Sequence, residues 1–200
     1  RQAIKAGVDC CGENRVQELT AKLAENAYEG VPVHFIGHLQ RNKVKSIIDK
    51  VSLIHSLESE GLAEEIEKQS AKRGIRTKVL AEINIGREES KSGLLPEQVA
   101  PFCLSLEKYP HVELCGFMTM APRCECGEDY FGYFKETYDL GTDIWKNTLG
   151  KEGEPIFSMG MSESYRPAIA AGASIVRLGS SVFGRTTADV MDLKNKTNDK

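Results

Sequence analysis

Residues 156–181 read IFSMGMSESYRPAIAAGASIVRLGSS. An apolar, β-rich run starts at Ile156 and breaks at Gly160 into a Gly/Ser-containing loop. A helical pattern follows from Glu163 to Ala171, and a second β-rich run begins at Ser174 and ends in Gly179-Ser180-Ser181. This is a strand–helix–strand unit of the kind that joins parallel strands. The same alternation extends back along the chain. Strands are expected to begin near Val8, Val33, Leu53, Lys78 and Glu113. Helices are expected over Arg15–Tyr28, Glu60–Arg73, Pro96–Leu106 and Glu128–Lys146. Gly74 closes the second of these, and Pro96 can open the third, where its missing N–H costs nothing.

Seven strands, each followed by a helix or helical turn, make an all-parallel α/β architecture with a repeat of roughly 28 residues, a βα period. A (βα) barrel needs eight such units. The chain opens at Arg1 without Met or a signal segment, in what reads as the last turns of a helix closing at Gly7. The expectation is therefore a TIM-type (βα) barrel over residues 1–185 that lacks its first strand, an N-terminally truncated barrel with two exposed edges. A polar tail, residues 186–200, follows. A doubly wound open sheet is the competing architecture.

Composition narrows the partners. The 200 residues carry 26 Lys+Arg against 29 Asp+Glu, a net charge of −3. That balance excludes a nucleic-acid binder working by bulk charge. Arg41, Lys43 and Lys45 are a small basic cluster that reads as a solvated helix face. No apolar run approaches the ~18–20 residues of a membrane span. The six cysteines read as reduced thiols of a cytoplasmic protein. Cys124-Glu125-Cys126 has one residue between its sulfurs and no second pair to complete a zinc set, so no metal is expected.

In a (βα) barrel, functional groups sit at the C-terminal ends of the strands, and phosphate is often held after the seventh and eighth. With the absent strand counted as the first, those two end here in Ser158–Ser162 and Arg177–Ser181. Glycines let backbone N–H groups approach an anion, serines donate, and the following helix or turn adds a favourable dipole. Ser162 could instead cap the Glu163–Ala171 helix. Arg177 interrupts an apolar strand, so it points inward at a ligand or carboxylate, or it marks an exposed face. Glu13 or Asn14 could cap the helix that follows the first visible strand. His38 is expected at the barrel mouth and His34 at the strand's entry.

GENRVQEL (Gly12–Leu19), HFIGHLQRNKVK (His34–Lys45), IHSLES (Ile54–Ser59), EINIGREESKSG (Glu82–Gly93), GFMTMAP (Gly116–Pro122), FSMGMSESY (Phe157–Tyr165) and VRLGSSVFG (Val176–Gly184) stand in one order along the chain. Together they closely resemble the pyridoxal phosphate homeostasis proteins, whose fold is similar to the barrel domain of alanine racemase. The resemblance implies a cytoplasmic protein of vitamin B6 homeostasis. It would bind pyridoxal 5′-phosphate (PLP) without a defined catalytic turnover, and buffer or deliver it to PLP-dependent apoenzymes. By that resemblance Ser162 and the backbone at Met161, Gly179 and Ser180 hold the phosphate. Arg177 faces the pyridine nitrogen, and Asn14 lies near the ring's other edge. The family's Schiff-base lysine lies on the first barrel strand, so it is expected to be absent from this chain, which would hold PLP noncovalently at most. Two enzyme readings compete. A PLP-dependent racemase-like or decarboxylase-like enzyme would carry a further β-rich domain, which is not expected from the polar stretch Thr186–Lys200. A phosphosugar-handling barrel enzyme would need acid/base residues, and only Glu82 and His38 qualify.

Overall fold

The computed structural model describes residues 1–184, so the expected tail, residues 186–200, lies outside the described residues. A short helix α1 (Gln2–Lys5) leads into β1 (Cys11–Glu13), which opens seven βα units whose remaining elements follow in order. These are α2 (Val16–Ala24), β2 (Val33–Phe35), α3 (Val44–Ile47), β3 (Leu53–Leu57), α4 (Glu60–Arg73), β4 (Thr77–Ile83), α5 (Pro96–Ser105) and β5 (Val112–Thr119). Next come α6 (Gly127–Asp143), β6 (Ile156–Met161), α7 (Tyr165–Ala170), β7 (Ile175–Arg177) and α8 (Ser180–Phe183). Every pairing is parallel, and the spatial order β1-β2-β3-β4-β5-β6-β7 is the chain order. A doubly wound sheet reverses its strand order at a switch point. This one never reverses. The strands curl into a nearly closed barrel, with β1 and β7 as the two ends of the sheet.

Local chemistry explains two of the helix ends. Gly74 takes the left-handed conformation (φ 64°) that stops α4, and Pro96 opens α5. Three expectations need correction. The first strand starts at Cys11, not near Val8. Helix α2 stops at Ala24, short of Tyr28, because Asn26 and Glu29 adopt positive φ and turn the chain out of the helix. The helix expected from Glu163 starts at Tyr165, with Ser164 as the flanking residue, which removes the capping role considered for Ser162.

Alternation along the strands gives the sheet two different faces. Outward residues such as Val79, Ala81, Phe117, Phe157 and Met159 are buried under the helices in one large apolar core. Leu53, Leu80 and Met118 form a second, much smaller cluster, with Ile156 and Ile175 packed against it. These five belong to the inward series of their strands and fill the middle of the barrel. Above that plug the interior turns polar.

Candidate functional site

Strands β6 and β7 end side by side, with Met161 paired to Arg177. The turn after β6 is shaped by Gly160. Its φ is +89°, and a Cβ there would lie 2.5 Å from the Ala168 Cβ, so only glycine lets this loop pack on α7. Ser164 Oγ accepts the Met161 N–H at 3.1 Å and fixes the loop. Ser162 then reaches across to the next loop. Its Oγ receives the N–H groups of Gly179 and Ser181, each at 3.2 Å, and the Ser181 hydroxyl at 3.1 Å. Three donors on one neutral hydroxyl oxygen exceed its two lone pairs, and all three bonds are long. A donor cluster of this kind suits an anionic oxygen better than a hydroxyl. Because α8 is a single turn, the donors are the Gly179 and Ser181 N–H groups and the Ser181 hydroxyl at its start rather than a long helix dipole.

Arg177, the last residue of β7, turns into the barrel directly below these loops. Its Nη1 donates to the Ser158 carbonyl (2.8 Å) and hydroxyl (2.7 Å), and its Nη2 donates to the Thr119 carbonyl (2.9 Å). The choice left open by the sequence is thereby settled: the guanidinium is inward and anchored across β5 and β6. Burial pulls its pKa down to about 10, with Glu82 opposing, so it stays a cation at neutral pH.

The structure brings Met161, Ser162, Arg177, Gly179 and Ser180 together at one end of the barrel. Asn14 lies at the end of β1, the far end of the strand order, exposed and against Gly37. It makes no side-chain hydrogen bond among the described residues, and neither it nor Glu13 caps α2. Glu13 is buried and paired instead with Lys22 at 2.6 Å.

Sequence reasoning missed one part. His34 sits mid-strand and points inward, not at an entry position, and its Nδ1 lies 3.0 Å from His55 Nε2. His55 Nδ1 in turn lies 2.9 Å from Ser158 Oγ, so the two imidazoles join the Arg177 cluster. Burial first, then His34 and Arg177, push His55 down to about 3, and burial lowers His34 as well. Both rings are neutral at pH 7. The available signal was a polar residue inside an apolar strand, LIHSL, the same anomaly that singled out Arg177.

A second constellation occupies the opposite side of the mouth. Glu58 Oε1 pairs with His38 Nδ1 at 2.9 Å, and its Oε2 accepts the Gly93 N–H at 3.0 Å. Gly93 is delivered by the loop after β4, which Asn84 ties down through Glu88 and which folds back so that Leu94 N–H meets the Glu82 carbonyl. Lys91 of that loop is ion-paired with Glu88. Glu82 itself is 3% exposed, and burial with Glu58 nearby lifts its carboxyl to about 7 against the pull of Arg177. All six cysteines are free thiols, and no His/Cys/Asp/Glu group among the described residues could hold a metal ion. No helix among them is long and apolar enough to cross a membrane.

Residues 1–187 match the family described as the alanine racemase N-terminal domain. The chain is 40% identical over 184 residues to the pyridoxal phosphate homeostasis protein of Aquifex aeolicus, covering 92% of this chain and 80% of that one. It is 35% identical over 174 residues to that of Helicobacter pylori, covering 86% and 75%. Among solved structures, PipY of Synechococcus elongatus PCC7942 with PLP bound superposes with a TM-score of 0.82 at 28% identity, covering 92% of this chain and 85% of that one. Alanine racemase from Clostridium difficile shares the fold, with a TM-score of 0.70 at 20% identity over 92% of this chain and 47% of the racemase. Two loops whose donors converge on Ser162 Oγ, an inward arginine beneath them and this breadth of similarity lead to one assignment: the chain belongs to the pyridoxal phosphate homeostasis proteins, within the alanine racemase N-terminal-domain family.

Proposed function

We propose that this chain binds PLP at the ends of β6 and β7 and serves intracellular PLP homeostasis as a cytoplasmic carrier without a defined catalytic turnover. The observation that carries the reading is the convergence of three donors on Ser162 Oγ. Ser162 and the backbone at Met161, Gly179 and Ser180 would hold the phosphate, Arg177 would face the pyridine nitrogen, and Asn14 would border the ring's other edge. PLP-dependent apoenzymes are the proposed recipients. When bound, the cofactor supplies an electrophilic carbonyl.

The remaining chemistry is that of the chain. A guanidinium at the pyridine nitrogen disfavours protonation of that nitrogen, which weakens the ring as an electron sink. Arg177 thus supports a holding role over an amino-acid-transforming one. Its anchoring on Ser158 and Thr119 keeps the cation from swinging out to pair with the phosphate. None of the chain's own lysines is assigned a bond to the cofactor: Lys91 is paired with Glu88, and Lys78 is an exposed residue at the entry of β4, away from the mouth.

Equilibrium dialysis of the chain with PLP tests the reading. One saturable site per chain, displaced by inorganic phosphate, is expected. Ser162→Ala and Arg177→Ala should each weaken it roughly tenfold to hundredfold, the equivalent of one hydrogen bond to a charged group. Absence of saturation at millimolar cofactor would overturn the proposal. Borohydride reduction followed by peptide mapping should trap no adduct at a defined lysine of residues 1–200. A single stoichiometric adduct would overturn the noncovalent assignment.

A further inference from the structure

The hydrogen-bond chain His34–His55–Ser158–Arg177 has a direction that its geometry fixes. Arg177 Nη1 can only donate, so Ser158 Oγ accepts from it at 2.7 Å. The Ser158 proton must then go elsewhere, and the acceptor within reach among the described residues is His55 Nδ1 at 2.9 Å. If Nδ1 accepts, the neutral His55 ring carries its proton on Nε2 and donates it to His34 Nδ1 at 3.0 Å. His34 in turn carries its proton on Nε2. The opposite polarity would leave the buried Ser158 hydroxyl with two donors pointing at it and no acceptor for its own proton, a cost of about 1–3 kcal/mol. From these contacts we infer that His55, backed by His34, is a positioning residue for Arg177. By taking the Ser158 proton it keeps the hydroxyl's lone pairs turned toward the guanidinium and holds the cation in the barrel. The inference rests on the PLP-binding reading only for its consequence, an arginine set in place before the ring arrives. The hydrogen-bond direction itself stands on the ligand-free structure. Both imidazoles are neutral across the neutral pH range, so the polarity persists there.

Two measurements test it. Nitrogen-15 NMR of the ligand-free chain should show His55 and His34 both as Nε2–H tautomers. A proton on His55 Nδ1 would overturn the inference whatever the variants do, including the case in which they fail to fold. Variants then separate positioning from packing. His55→Leu should merge the resolved Nη signals of Arg177 and weaken PLP binding about tenfold while leaving the affinity for inorganic phosphate within about twofold. His55→Asn, whose Oδ1 can take the place of Nδ1, should restore the Nη signals and most of the PLP affinity. Equal behaviour of the two variants would overturn the positioning role. Should the parent chain bind no PLP, the functional reading fails, but the tautomers and the Arg177 signals still decide the relay.

Discussion

Phe117 and Met118 are neighbours on β5, and Phe157 and Ser158 are neighbours on β6, yet each pair divides between two different environments. Phe117 stacks on Phe157 with ring centroids 5.9 Å apart beneath Gly141 of α6, and it meets Trp145 edge-on at 6.5 Å. On the inner face the same two strands present Met118, at the apolar plug, and Ser158, in the hydrogen-bond chain above it. The outer face is large, apolar and continuous. The inner face is a thin apolar plug carrying a polar tier of His34, His55, Glu82, Ser158 and Arg177. The apolar core and the candidate site are thus separated by the two-residue period of a strand, since one step along the backbone exchanges one environment for the other.

The comparison can be broken most forcefully from the outside. Phe117→Ala removes a fully buried ring from the large core and should cost about 3–5 kcal/mol, read as a lowered urea midpoint. A loss below about 1 kcal/mol would mean that the outer core is not the seat of stability.

The inner face should show itself through pH rather than size. In the folded chain the Glu82 carboxyl titrates at about 7 against an ordinary 4.5, so between those values the folded state binds the extra proton and stability falls as pH rises. His55 runs the other way. Its value near 3 against 6.5 means that the unfolded chain binds the extra proton, and stability falls as pH drops below about 6.5. The two slopes cancel between roughly 4.5 and 6.5. Glu82→Gln removes the first slope only. Relative to the parent it should gain about 3 kcal/mol as pH rises from 4.5 to 7, then hold that gain. Denaturation series at several pH values would show it, and a difference independent of pH would remove Glu82 from the account. Ser158→Ala should cost less, about 1–3 kcal/mol, because it strands His55 Nδ1 without a donor. Its loss should overlap with that of His55→Leu in a double-mutant cycle, since one bond joins the two residues.

How much of this is visible in the sequence depends on how far apart the partners lie along the chain. Helix α4 is legible from Leu62, Ala63 and Ile66 with Gly74 behind them, and the start of α5 from Pro96, since each signal acts within a turn of its effect. The Gly/Ser loops after β6 and β7 are legible for the same reason: glycine and serine at a strand end act locally. The end of α2 is not, because Asn26 and Glu29 take a backbone conformation that any sequence pattern ranks as uncommon. The polar tier is the least legible. His34 and His55 are 21 residues apart, His55 and Ser158 are 103, and they meet only when the sheet curls. A histidine in an apolar strand announces that something must satisfy it, but only the closed barrel shows what.

Gly141→Ala gives the finest test of the contrast, because helix propensity and packing oppose each other there. Alanine in place of glycine inside α6 should stabilise the helix by about 1 kcal/mol. The added Cβ, however, would lie 2.6 Å from the Phe157 ring and 2.7 Å from the Phe117 ring. Both rings are fully buried and face each other, so neither can retreat into solvent, and forcing them apart costs about 1–3 kcal/mol. Packing outweighs propensity, and the expected net is a loss of about 1 kcal/mol, seen as a small drop in thermal midpoint. Gly132 lies on the same helix with open space at its Cβ position. Gly132→Ala should therefore keep the propensity gain, and the sign difference between the two variants isolates the tight packing of the outer face from the helix that covers it. Equal effects at the two positions would show that the outer core yields to a methyl group, which would remove the rigidity that holds β5 and β6, and with them Thr119 and Ser158, under Arg177.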